Sequence, residues 1–102
     1  MPNKLIKLYF SCEQKVDLVD SLIQLDIISG FSLYAIDGFS RDHERFDISE
    51  QIKGSRRMMV AEIICSDDDI TTVLKSLSNL HFREPIRYVI QPIENTGHLE
   101  DI

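Results

Sequence analysis

The run Arg56-Arg57-Met58-Met59-Val60-Ala61-Glu62-Ile63-Ile64-Cys65-Ser66-Asp67-Asp68-Asp69-Ile70-Thr71-Thr72-Val73-Leu74-Lys75-Ser76-Leu77 changes its hydrophobic period partway along. From Arg56 to Cys65 the period is two, with Met59, Ala61 and Ile63 on one face and Met58, Val60 and Ile64 on the other, which predicts a strand. From Ile70 onward, Ile70, Val73, Leu74, Leu77 and Leu80 follow helical spacing. Ser66 or Asp67 can cap that helix, and Asp67, Asp68 and Asp69 sit where the positive end of its dipole favours acids. A strand handing over directly to a helix is half of a crossover unit.

Downstream, Pro85 forbids continuation of the helix, and Ile86, Tyr88 and Ile90 alternate with Arg87, Val89 and Gln91 in a strand closed by Pro92. A polar tail, residues 94–102, follows. Upstream, Ile6, Leu8 and Phe10 alternate with Leu5, Lys7 and Tyr9 in a first strand over Lys4 to Phe10. A helix is expected from Glu13 to near Asp26, with Val16, Leu18, Val19, Leu22, Ile23 and Leu25 on one broad apolar side. Gln14, Asp17, Asp20, Ser21 and Gln24 fall on its solvated side. Gly30 then provides the turn into a strand carrying Phe31, Leu33 and Ala35 against Tyr34 and Ile36, ending at Gly38.

The order is β-α-β-β-α-β. Two interleaved right-handed crossovers in one sheet produce an α+β ferredoxin-like sandwich, a four-stranded antiparallel sheet with two helices on one face. At 102 residues the chain suits a single domain spanning residues 1–102, interrupted by a polar, mixed-charge loop over residues 39–55. Phe10-Ser11-Cys12-Glu13 and Ile64-Cys65-Ser66-Asp67 each place a cysteine where a strand meets an acidic helix start, a hint of internal pseudo-symmetry.

Apolar residues at 43% and charged residues at 27% are the proportions of a folded soluble domain. Acidic residues outnumber basic ones by 17 to 11, and the net charge of −6 repels phosphate backbones and anionic lipid, so no nucleic acid and no direct membrane insertion are expected. The opening residues are too short and too charged for a signal segment, which makes the expected location cytoplasmic. In that reducing setting Cys12 and Cys65, the only two cysteines, are expected to stay unbridged.

Strands one, two and three carry apolar residues on both faces, whereas helices cover only one. An uncovered face is therefore expected; another copy of the chain is the economical cover, with a homotrimer the expected assembly, and the alternative is that Tyr9, Met58, Val60 and Tyr88 there make only a modest exposed patch.

A ferredoxin-like core with a long connection between its second and third strands resembles the trimeric nitrogen regulatory PII proteins and their PII-like relatives. Gly30-Phe31-Ser32, Gly38, His43, Glu50-Gln51, Gly54 and Arg56-Arg57 resemble, more closely, a family of small bacterial PII-like proteins of unassigned function often associated with heavy-metal efflux genes. The resemblance implies a homotrimeric signalling protein that reaches an unidentified protein partner through loop 39–55 or takes a small effector between subunits, without catalysis. The chain departs from the PII pattern at Ser78-Asn79-Leu80-His81-Phe82-Arg83-Glu84-Pro85. No glycine-rich turn with a lysine cradles phosphates there, which counts against ATP and ADP. The loop also has no tyrosine, which excludes tyrosine modification within it.

Within the loop, Arg41, His43, Arg45 and Phe46 offer guanidinium, imidazole and aromatic contacts to a partner, and Glu50 and Gln51 belong to a segment able to form a helical turn on binding. The same composition also suits a plain solvated loop. No cofactor is assigned; the alternative is a transition metal ion held by His43 and Asp47, since imidazole and carboxylate suit zinc, nickel or copper, as in a metal-tolerance protein. A second metal reading places Cys12 and Cys65 together at one sheet edge as soft ligands. An enzyme is not expected: no nucleophile stands beside a plausible base.

Overall fold

The computed structural model describes residues 3–39, 55–80 and 84–102. Its elements are β1 (Asn3–Ser11), α1 (Lys15–Ile23), β2 (Phe31–Gly38), β3 (Arg56–Ser66), α2 (Ile70–Ser78) and β4 (Arg87–Pro92). Single 3-10 turns at Cys12–Gln14 and Asp67–Asp69 lead into the two helices. The strands form one sheet in the order β2-β3-β1-β4, every neighbouring pair antiparallel. This is the ferredoxin-like α+β sandwich.

Register follows from the alternation. Ile6 lies opposite Ile63, Leu8 opposite Ala61 and Phe10 opposite Met59, so one face of the central pair is continuously apolar. Phe31, Leu33 and Ala35 extend that face across β2. Leu18 and Leu22 of α1 and Ile70, Val73 and Leu77 of α2 pack against it in one core cluster, so both helices cover the same face. Ile6, Phe10, Leu18, Leu22, Ile63 and Val73 are fully buried. Burying side chains of this kind stabilises by about 1.5–3 kcal/mol each before entropy is charged against it.

Both helices are shorter than their apolar patterns. The α1 segment starts at Lys15 and ends at Ile23, and its core stripe is narrower than the six residues the spacing collected. Leu18 and Leu22 are sealed, but Val16 is 69% and Ile23 67% exposed. The sheet offers α1 one line of contact, and residues seven apart on its outer side point away from it. Likewise α2 ends at Ser78, which leaves Leu80 beyond it. The cap falls on Ser66, whose hydroxyl accepts the Asp68 backbone N–H at 3.3 Å.

Tyr88 lies opposite Leu8, on the helix-covered side and not on the open face, and Ile90 lies opposite Ile6. The strand pairing decides this: β4 is an edge strand whose register with β1 puts Arg87, Val89 and Gln91 on the open side.

Candidate functional site

The site is built at the end of the sheet where β1 leaves, β2 stops and β3 begins. Gly38 pairs with Arg56 in register, so the two ends of the 39–55 connection are held side by side. A Cβ on Gly38 would come within 2.8 Å of the Met58 Sδ, so the missing side chain leaves room for Met58 beside the strand end. Arg56 reaches the Glu84 carboxylate, its Nη2 lying 2.8 Å from Oε1 and 2.7 Å from Oε2, with both side chains largely shielded. The Glu84 carbonyl accepts the Gln14 Nε2 amide at 2.8 Å. Gln14 Oε1 in turn accepts the Ser11 backbone N–H at 2.9 Å and lies 3.1 Å from the Ser11 hydroxyl, which donates to it. One chain of polar contacts thus links the root of the 39–55 segment, the start of α1 and the turn before β4.

Gln14 is buried, not solvated as its helical position implied. Its role was readable from spacing: Ser11 followed three residues later by glutamine is the capping-box arrangement, in which the glutamine reaches back to the cap's N–H. Nothing in the sequence pointed to Glu84 as the partner of Arg56.

The open face of the sheet adjoins this end. Tyr34, Val60, Tyr9 and Arg87 form one cross-strand row, and Ser32, Glu62, Lys7 and Val89 the next. The Arg87 guanidinium lies 4.4 Å above the Tyr9 ring centre. The Tyr34 hydroxyl is hydrogen-bonded to Glu62, and that bond, with burial and the Glu62 and Tyr9 charges adding to it, pushes its pKa up. Val60 is only 1% exposed although no helix covers it, and Ile64 on the same face stays exposed. The expected open-face residues Tyr9, Met58 and Val60 are here; Tyr88 is not.

Arg41, His43, Arg45, Phe46, Asp47, Glu50 and Gln51 lie outside the described residues, so neither their partner-binding nor their metal reading is placed. The cysteine pair is overturned. Lys4 pairs with Cys65, whereas Ser11, next to Cys12, pairs with Met58. Antiparallel neighbours end at opposite ends of the sheet, roughly 25 Å apart over this length of strand. Cys12 is exposed, with its thiol 3.7 Å from the Arg57 carbonyl. Cys65 is buried, and burial first, then Asp69 and Asp67, push its pKa up. Among the described residues no three His, Cys, Asp or Glu side chains converge as a metal site, and no helix is long and apolar enough to cross a membrane.

A solved DUF3240 family protein from Shewanella baltica OS155 is 33% identical to the chain, with a TM-score of 0.79 over 97% of this chain and 98% of that one. CPII, a nitrogen regulatory PII-like protein from Thiomonas intermedia K12 solved with ADP, AMP and bicarbonate, superposes with a TM-score of 0.70 over 97% and 98% of the two chains. At 10% identity that likeness shows the shared PII-like fold. No curated protein matches the chain. Residues 1–100 match the family described as a protein of unknown function, DUF3240, and with the Shewanella relative this places the chain in the DUF3240 family, on a PII-like fold.

Proposed function

We propose that this chain is a non-enzymatic regulatory adaptor of the PII-like kind, a cytoplasmic homotrimer that engages a partner protein or small effector through residues 39–55 and the clefts between subunits. The observation that carries the reading is the open sheet face, where Tyr9, Tyr34, Val60 and Ile64 lie on the side that neither helix covers. A sheet of this kind on a soluble protein calls for a second cover, and closed symmetric assembly supplies it. The Arg56–Glu84 pair and Gln14 support the adaptor role, because they couple the root of the 39–55 segment to the turn before β4. A partner seated on Arg41, His43, Arg45, Phe46, Glu50 or Gln51 would pull on that root.

Native mass spectrometry of the full chain tests the reading. Three chain masses are expected for the unchanged protein, and one for Ile64→Arg, which places a charge on the open face without touching the core. A single chain mass for the unchanged protein at micromolar concentration sinks it. Zinc, copper, nickel, ADP or ATP added in the same experiment reports bound mass directly, and metal uptake lost in His43→Ala would favour a metal-binding protein instead.

A further inference from the structure

The helix side of the sheet has a gap that the core does not fill. Because α2 lies over the core and not over the edge strand, a groove of about 490 Å³ runs between α2 and β4, within the size range of small-ligand pockets (about 300–1,000 Å³). Thr71, Leu74, Lys75 and Ser78 of α2 line it at helical spacing, with Leu80 just beyond the helix and Ile86 and Tyr88 from the segment leading into and along β4. Tyr88 is 55% exposed although it faces the helix layer. Among the described residues, the groove's charged lining residues are Lys75 and Glu84. Glu84 is engaged by Arg56, and Lys75 is exposed.

The tail carries the complementary surface. Leu99–Asp101 forms a 3-10 turn, with Asp101 N–H donating to the His98 carbonyl at 3.0 Å and Ile102 N–H to the Leu99 carbonyl at 3.2 Å. Residues three apart eclipse in a 3-10 turn, so Leu99 and Ile102 project on one side, with Glu100 and Asp101 between them. Leu99 is 89% and Ile102 99% exposed, so this apolar pair makes almost no contact with its own subunit.

We infer that the tail of a second copy docks in the α2–β4 groove, Leu99 and Ile102 entering the apolar floor while Glu100 and Asp101 meet Lys75. Apolar pair matches apolar groove and acid matches base, and no tail residue lines the groove of its own subunit. The contact is head-to-tail, so it closes only in a ring, one subunit's tail on the next subunit's groove. It does not rest on the adaptor reading.

The test is carbodiimide cross-linking, which joins an amine to a carboxylate only in direct contact, followed by peptide mass analysis. The unchanged full-length chain is expected to give Lys75–Glu100 or Lys75–Asp101 links. Two variants are then made: Leu99→Asp/Ile102→Asp, which removes the apolar pair from an exposed segment, and Lys75→Arg, which keeps the charge but removes the reactive amine. Each alone is expected to lose the link, and co-expressing the two is expected to restore it, since Lys75 of the first then meets the intact tail of the second. No link in the unchanged chain overturns the inference. So does a link that persists in the Leu99→Asp/Ile102→Asp variant, or one that co-expression fails to restore, which would assign the tail to its own subunit.

Discussion

The two faces of the sheet are built from the same strands and hold different kinds of order. On the covered face, Ile6, Phe10 and Ile63 are sealed by Leu18, Leu22 and Val73 from the helices, an apolar contact with no polar members. On the open face, Val60 is sealed just as fully, but by cross-strand neighbours that include Tyr9 and Tyr34. Those rings carry polar ends, and their environment is completed by Arg87, Glu62 and Lys7. The lesson is that burial does not report which layer does the burying. The covered face stabilises the fold; the open face leaves aromatic and charged groups arranged for a further surface.

That contrast can be broken most sharply at Phe10. Phe10→Ala leaves a cavity under both helices and should cost about 3–5 kcal/mol, read as a lower denaturation midpoint in urea with the slope unchanged. A loss under about 1 kcal/mol would mean that the covered face is not the stabilising one.

A smaller effect is expected across the sheet. Arg87→Ala removes the cation from the Tyr9 ring at an exposed position and should cost about 0.5–1 kcal/mol in the same urea experiment. A cost matching that of Phe10→Ala would erase the difference between the faces.

The subtlest probe is alkaline titration. The hydrogen bond to Glu62 holds the folded pKa of Tyr34 above its ordinary value of 10.0. Its contribution to stability is therefore complete below that value and is lost as pH rises through the folded pKa. In a tyrosinate absorbance titration, the component that Tyr34→Phe removes should lie above the ordinary tyrosine range, and Glu62→Gln should bring it earlier. Unchanged curves after Glu62→Gln would remove the polar link from the open face.

Much of the fold was legible because two periods in sequence correspond to two backbone geometries. Residues 56–77 alone contain the switch from strand to helix, and the observed β3 and α2 fall on it. Local pattern and global packing part at particular residues. Val16 and Ile23 share a helical face with apolar spacing but face away from the sheet. Cys12 and Cys65 share a local motif but sit at opposite ends of antiparallel neighbours. The tail read as polar by composition, yet its two apolar residues are presented together by a 3-10 turn. The candidate contact residues of the loop, including His43 and Phe46, lie outside the described residues, and the polar contacts of Arg56, Glu84 and Gln14 belong to the loop's root.

The amino-acid sequence by itself determined the element order, a cap at Ser66 or Asp67, the apolar sides of the central strands and the acidic charge, because each depends on residues within a turn or a strand of one another. Only the tertiary structure decided that Arg56 meets Glu84, that Gln14 is buried beneath them, that Tyr88 faces the helices and that a groove opens beside α2. Those features join segments as far apart as 70 positions in the chain, as Gln14 and Glu84 are, and no local period carries that information. Strand register and helix placement set them, through the packing of the whole core.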